Sequence, residues 1–194
     1  MGHTAYGGAD IGEVLTTSQA ITAGDYDSWH DEWLATADRV AAEAEKMLAN
    51  GHRISARDGL MRASNYYRSA GFFLHGNPDD PRIEHAYNRA RQCFHTAAAL
   101  FDPPIEPVEI PYEGTVLHGY FYRAARSHDD TTPRPTMIMH SGFDGTCEEL
   151  HWIGAAAGQE RGYHVLTFDG PGRPRRVTST GWCFVPTGRT SSPR

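Results

Sequence analysis

The chain has 194 residues, of which 39% are hydrophobic, and a formal net charge of −6. It shows no apolar run of about 20 residues and no basic start followed by an apolar core. This predicts a protein without a membrane span or signal peptide, and we expect it in the cytoplasm. Residues 173–194 hold five Arg and no acid, so residues 1–172 hold 13 basic and 24 acidic side chains. That acidic body argues against nucleic acid as a partner.

The cysteines and histidines give no sign of a metal centre. Cys93, Cys147 and Cys183 have no paired spacing, which predicts reduced and mostly buried thiols. The 11 histidines are scattered singly, without a His-x-x-x-His or Cys-x-x-Cys pair. We therefore predict neither a metal nor a cofactor.

The first hundred residues predict helices after a short lead-in. Residues 1–27 are rich in Gly and Thr and predict an irregular segment. Residues 28–101 predict a helical segment with three helices, which begin at Ser28, at Ser55 and near Pro81. Their apolar faces are Trp29, Trp33, Ala37, Val40, Ala44 and Met47 in the first helix, Leu60, Ala63, Tyr67, Ala70 and Leu74 in the second, and Ile83, Tyr87, Ala90, Phe94, Ala97 and Phe101 in the third.

The hydrophobic period changes after the proline-rich residues 102–107, which predict a domain boundary. Alternating apolar and polar residues over 108–122 predict a β-hairpin that turns at Glu113 and Gly114. Thr136–His140 is short and apolar, which predicts a fully buried strand.

A helix and a further strand are predicted next. The helix covers Cys147–Arg161, with Leu150, Ile153 and Ala157 on its apolar face, and Tyr163–Phe168 predicts a second buried strand. A strand–helix–strand unit of this kind demands a right-handed crossover and a parallel pair of strands. The predicted class is therefore α/β.

Two stretches carry a family resemblance. Residues 136–146 (TMIMHSGFDGT), followed by Glu148 and Glu149, and residues 166–172 (LTFDGPG) resemble α/β-hydrolases with an N-terminal helical cap. This group includes 2,6-dihydroxypseudooxynicotine hydrolase, fungal hydrolases that shorten polyketide pigments, and fermentation-respiration-switch-like proteins. The resemblance covers roughly residues 28–172. It implies that residues 28–101 are the cap and residues 102–172 are the first strands and first helix of the hydrolase sheet.

The resemblance also implies half of an oxyanion hole. In such enzymes a backbone N–H from the loop after the third strand stabilises the oxyanion that forms when Ser attacks a carbonyl. Here that loop contains Gly142, Phe143 and Asp144, and Phe143 is the expected donor. An ordinary strand-to-helix turn remains the alternative explanation for Gly142 and Gly145.

The residues that would complete the chemistry are not found. No Gly-x-Ser-x-Gly pentapeptide, which marks the nucleophile of this class, occurs in the chain. We reject His140 and Ser141 as a catalytic pair, because adjacent side chains at a strand end point to opposite sides. Asp169 precedes the place of any nucleophile, whereas the acid of this class follows it. A role in a turn or as an N-cap is the better prediction for Asp169.

The last 22 residues depart from the family. Residues 173–194 hold seven Ser or Thr, three Pro and five Arg, a composition typical of disorder. They also fit a GC-rich gene read out of frame, since the chain has one Lys against 17 Arg. In a shifted frame, Val177–Gly188 permits a string that resembles the family's continuation. The hypothesis is a frameshift near codon 173 that truncates a larger hydrolase.

Two functions follow from the sequence. In the first, the full-length form cleaves an ester, an amide or a C–C bond of a small-molecule carbonyl substrate, while the printed chain is inactive because it lacks the triad. In the second, the chain is a non-catalytic helical binding module. Missing strands would leave a sheet edge exposed, so we also expect the printed chain to be marginally stable or insoluble.

Overall fold

The computed structural model describes residues 2–124, 133–142 and 144–170. The chain divides into two compact units, of which the first ends at Leu100 and the second begins at Phe101. None of the described helices is both long and apolar enough to cross a membrane. The predicted tail, residues 173–194, and the expected N–H donor Phe143 lie outside the described residues.

The first unit is helical, and α3 packs against both α2 and α4. The predicted apolar faces of these three helices supply most of its core, although Met47 is exposed and Trp29 and Tyr87 are only partly buried. The prediction of Phe101 on the third face is wrong, because that helix ends at Ala98 and Phe101 belongs to the second unit. Single turns of 3-10 helix occupy Gly2–Tyr6 and Leu74–Gly76. The α-helices are α1 Ile11–Ala20, α2 Tyr26–Ala49, α3 Arg53–Ala70 and α4 Pro81–Ala98.

The prediction of an irregular lead-in is wrong over α1. The side chain of Asp10 caps this helix by accepting hydrogen bonds from the N–H groups of Gly12 and Glu13, at 2.8 and 3.0 Å. The helix buries only Val14 and Thr17. Two buried positions in ten residues are too few to produce a readable helical period, and tertiary contacts therefore decide this segment.

The helix starts predicted from Ser28 and Ser55 are also displaced. Asp25 caps α2, and its carboxylate accepts from the N–H of Asp27 at 2.9 Å. The Ser28 hydroxyl instead accepts from the N–H of Thr22 at 2.9 Å, which fixes the turn before the helix. Helix α3 begins at Arg53 without a side-chain cap. The start of α4 is confirmed, with Asp80 as N-cap and Pro81 in the first turn.

Two tyrosines of α3 form hydrogen bonds to neighbouring helices. The hydroxyl of Tyr66 donates to Glu13 of α1 at 2.7 Å, and the hydroxyl of Tyr67 donates to Asp38 of α2 at 2.5 Å. Burial and these carboxylate partners raise the pKa of both tyrosines, so both stay protonated and act as donors. The close approach of α2 and α3 also needs Gly59, because a Cβ there would lie 2.8 Å from the Cβ of Ala44.

The second unit contains a four-stranded sheet in the order β1-β2-β4-β3. The strands are β1 Glu106–Tyr112, β2 Thr115–Tyr122, β3 Thr136–His140 and β4 His164–Phe168. Strands β1 and β2 form the predicted hairpin, which turns at Glu113 (φ 43°) and Gly114 (φ 75°), both left-handed as a two-residue hairpin turn requires. Strands β3 and β4 form the predicted parallel pair, and β4 runs antiparallel to β2.

The prediction that β3 is fully buried is wrong. It lies at one edge of the described sheet, and its residues alternate between exposed and partly covered. Ile138 is 67% exposed. A run of apolar residues predicts burial on both faces, whereas an edge strand without cover on one face keeps that face open. At the opposite edge, β1 carries Pro107 and Pro111.

The helix between β3 and β4 has a different buried face from the one predicted. It begins with a π-helical turn, His151–Ala155, and continues as α5 over Ala156–Glu160. The wider turn shifts the phase of the helix, so Ile153 and Ala157 are exposed. The buried residues are Leu150, His151, Trp152, Ala155, Gly158 and Gln159.

The exposed edge of β3 leads to a solubility prediction. Replacing Ile138 with Lys places a charge on an open edge strand and should raise the soluble, monomeric fraction of the expressed chain, because edge charges block strand addition. The measurement is the monomer fraction by size-exclusion chromatography after lysis. Ile54 of α3 is 69% exposed and gives a matched control. An equal gain from Ile54→Lys would show that general surface charge, and not the strand edge, limits solubility.

Candidate functional site

The carboxyl ends of β3 and β4 meet at one edge of the sheet, where each strand is followed by a polar residue. Ser141 follows β3, Asp169 follows β4, and both are buried. The Ser141 hydroxyl donates to Asp169 Oδ1 at 3.1 Å and lies 3.4 Å from the carbonyl oxygen of Gly145. These contacts join the two strand ends and close the base of the loop that follows β3. In parallel sheets this edge is where ligands bind.

The far end of the same loop is held by a capping interaction. The Glu149 carboxylate accepts a hydrogen bond from the N–H of Thr146 at 2.9 Å, which is the side-chain half of a capping box. Ser141 and Thr146, on either side of the loop, are therefore both held by hydrogen bonds. The three-residue spacing of Thr146 and Glu149 is a sequence signal for this turn.

The predicted oxyanion-loop residues lie between these two anchors. Gly142 and Asp144 are exposed, while Phe143 is outside the described residues. A Cβ at Gly142 would meet nothing within 4 Å, and its φ is not left-handed. Glycine is therefore not required sterically at this position in the present conformation. The assignment of the oxyanion donor to Phe143 stays a prediction.

His140 and Ser141 point to different environments. The His140 ring is exposed and packs edge-on against Phe168, with ring centroids 5.4 Å apart. The Ser141 side chain turns inward to Asp169. This geometry agrees with the rejection of the two residues as a catalytic pair. Asp169 holds the strand ends together, and its backbone N–H donates to the carbonyl of His118 at 3.1 Å.

A second polar group lies below the loop and was not foreseen. Glu148 is buried and accepts a hydrogen bond from the Tyr120 hydroxyl at 3.1 Å. Cys147 is buried and unpaired. One ligand-type atom each from Cys147, Glu148 and Asp169 lie within 4.8 Å of one another. Burial and the two neighbouring carboxylates raise the pKa of the Cys147 thiol well above its usual range.

Comparison with known proteins gives a consistent set of relatives, although no family model matches the chain. The chain is 40% identical over 174 residues to hydrolase LUC6 of a Fusarium species, covering 89% of this chain and 42% of the relative. It is 38% identical over 192 residues to 20-hydroxy-prefusarin hydrolase FUS2 of Gibberella moniliformis, covering 95% and 46%. An α/β-hydrolase of an Acremonium species, ucsC, is 35% identical over 199 residues, covering 97% and 40%.

A solved structure also resembles this chain. A 2,6-dihydroxy-pseudo-oxynicotine hydrolase superposes with a TM-score of 0.74 at 26% identity, over 91% of this chain and 47% of that protein. The chain thus spans less than half the length of these relatives. Its helices and mixed sheet match part of an α/β-hydrolase fold. The resemblance predicted from residues 136–146 and 166–172 is confirmed, and the chain is homologous to part of the α/β-hydrolases of this group.

Proposed function

We propose that the chain is part of a serine hydrolase that cleaves an ester, an amide or a C–C bond next to a carbonyl in a small-molecule substrate. The observation that supports this most is the loop between Ser141 and Thr146, which is held at both ends at the carboxyl edge of a parallel strand pair. A loop held at both ends in this way can present backbone N–H groups to an oxyanion, and the N–H of Phe143 stays the expected donor. The relatives are named as hydrolases, which agrees with this chemistry.

Residues 1–194 alone do not hydrolyse substrate in this proposal. No Gly-x-Ser-x-Gly sequence is present, so the chain has no nucleophile of the expected kind. A frameshift near codon 173 accounts for the change in composition after Gly172. Sequencing the locus tests this directly: an open frame that continues to a Gly-x-Ser-x-Gly sequence supports the frameshift, and the absence of such a frame refutes it.

Ester hydrolysis provides the functional test. We expect residues 1–194 to give background rates with p-nitrophenyl esters, and the frame-restored protein to exceed them on the order of 10⁴-fold, because the triad supplies the covalent route and proton transfer. Replacing the Ser of the restored Gly-x-Ser-x-Gly sequence by Ala is the control and should return the rate to background. Turnover by residues 1–194 themselves would refute the proposed inactivity.

A non-catalytic binding module is the second candidate, favoured by the compactness of residues 1–100. Its helices expose an aromatic group in which Tyr26 and Phe73 stack at 5.1 Å. The ester assay separates the candidates, since a binding module gives no turnover in either form. We also propose a cytoplasmic location, because the buried, unpaired thiols of Cys93 and Cys147 suit a reducing compartment.

A further inference from the structure

Three side chains of types that can ligate a metal come together near the loop that follows β3. The group consists of Cys147 and Glu148 in the turn before the helix and Asp169 directly after β4. All three are buried, and one ligand-type atom from each lies within 4.8 Å of the others. One cysteine sulfur and two carboxylates are donors of the kinds that zinc binds.

The charge of Glu148 is poorly balanced by the described residues. Its carboxylate accepts a hydrogen bond from the Tyr120 hydroxyl and lies close to the Cys147 thiol and the Asp169 carboxylate. It forms no ion pair with any residue in the described ranges. A buried carboxylate without a cationic partner is costly, and a bound cation removes that cost.

An independent observation comes from Tyr122. Its side chain is fully buried, and its hydroxyl makes no hydrogen bond of normal geometry, although the Thr167 hydroxyl is nearby. The hydroxyl interacts electrostatically with Cys147 and Glu148. Buried polar atoms are nearly always satisfied, so an unsatisfied hydroxyl that interacts with two members of this group indicates a missing partner.

We propose that Cys147, Glu148 and Asp169 bind one zinc-type divalent cation, with the Tyr122 hydroxyl next to it. Binding forms a metal–sulfur bond and breaks the S–H bond of Cys147, and the proton leaves to solvent. No electron is transferred. The ion would join the turn before the helix to the residue after β4, and it would be a structural site separate from the exposed residues Gly142 and Asp144.

Cobalt(II) titration of the purified chain tests this proposal, because a cobalt–thiolate bond gives a charge-transfer absorption band in the near ultraviolet. We expect one Co²⁺ per chain, the band, and its loss on addition of equimolar Zn²⁺. Cys147→Ser should abolish the band. Glu148→Gln should raise the dissociation constant at least about tenfold, since losing even an outer-shell partner weakens metal binding 10–100-fold.

Matched controls identify the thiol and the carboxylate. Cys93→Ser removes the buried thiol of the helical unit, Cys183→Ser removes the third thiol, and Glu160→Gln removes an exposed carboxylate of α5. All three variants should bind Co²⁺ with the same affinity as the unchanged chain. If Cys147→Ser does not fold by circular dichroism, the comparison of Glu148→Gln with Glu160→Gln decides. The absence of the band, its persistence in Cys147→Ser, or equal affinity of the two glutamine variants would overturn the proposal.

Discussion

Gly119→Ala is expected to destroy the stable pairing of β2 with β4. A Cβ at Gly119 would collide with the carbonyl oxygen of Thr167 and would lie 2.9 Å from Cβ and 3.1 Å from Cα of Phe168. The colliding atoms are backbone or close to it, and β4 cannot move aside because it is paired with strands on both sides. We expect a loss of about 3 kcal/mol or more, at or beyond the upper end of overpacking costs.

Amide hydrogen exchange of β2 and β4 measures this loss within the sheet unit. Protection of these amides should collapse in Gly119→Ala, since a cost of this size removes much of the stability of a typical domain. Gly142→Ala is the matched control in the same unit, because a Cβ there meets nothing within 4 Å. It should leave the exchange rates of β2 and β4 unchanged. Equal protection in both variants would mean that β4 approaches Gly119 less closely than described.

Phe94→Ala is expected to cost about 3–5 kcal/mol, the range for removing a buried aromatic side chain. Phe94 is completely buried on α4, and it belongs to the core of the helical unit. Removing the ring loses its transfer free energy and leaves a cavity, because tightly packed helices relax only in part. The measurement is urea unfolding followed by the far-ultraviolet circular dichroism of the helices.

Phe73→Ala is the control for this prediction. Phe73 is 39% exposed and contacts Tyr26, Trp29 and Phe72 through its ring. Aromatic pairs contribute about 0.5–1.5 kcal/mol beyond area burial, so we expect this variant to cost clearly less than Phe94→Ala. Similar losses for the two variants would contradict the assignment of Phe94 to the core and Phe73 to the surface.

The regular elements could be predicted because their signals are local. The α2, α3 and α4 faces follow the helical period, and the β1–β2 hairpin follows from alternation and the Glu113-Gly114 turn. The parallel β3–β4 pair follows from the chirality of a strand–helix–strand unit. In each case, residues close together in the sequence determine which element forms.

The features that could not be predicted depend on tertiary structure. Helix α1 buries two residues, and a π-helical turn at His151–Ala155 reverses which side of the next helix is covered. The exposure of Ile138 follows from strand order, which no local pattern encodes. At the site, Ser141 and Asp169 are 28 residues apart in sequence, and so are Tyr120 and Glu148. Only the folded sheet brings each pair together.

The prolines of β1 determine how the described sheet can grow. Proline has no N–H, so within a paired strand its nitrogen must face away from the partner. Pro107 and Pro111 therefore remove two of the donors that a new strand would need on the outer side of β1. Within the described sheet, strand addition is therefore favoured at β3. When two copies associate through their β3 edges, both reactive edges are consumed, so this contact yields closed pairs and cannot propagate into fibres.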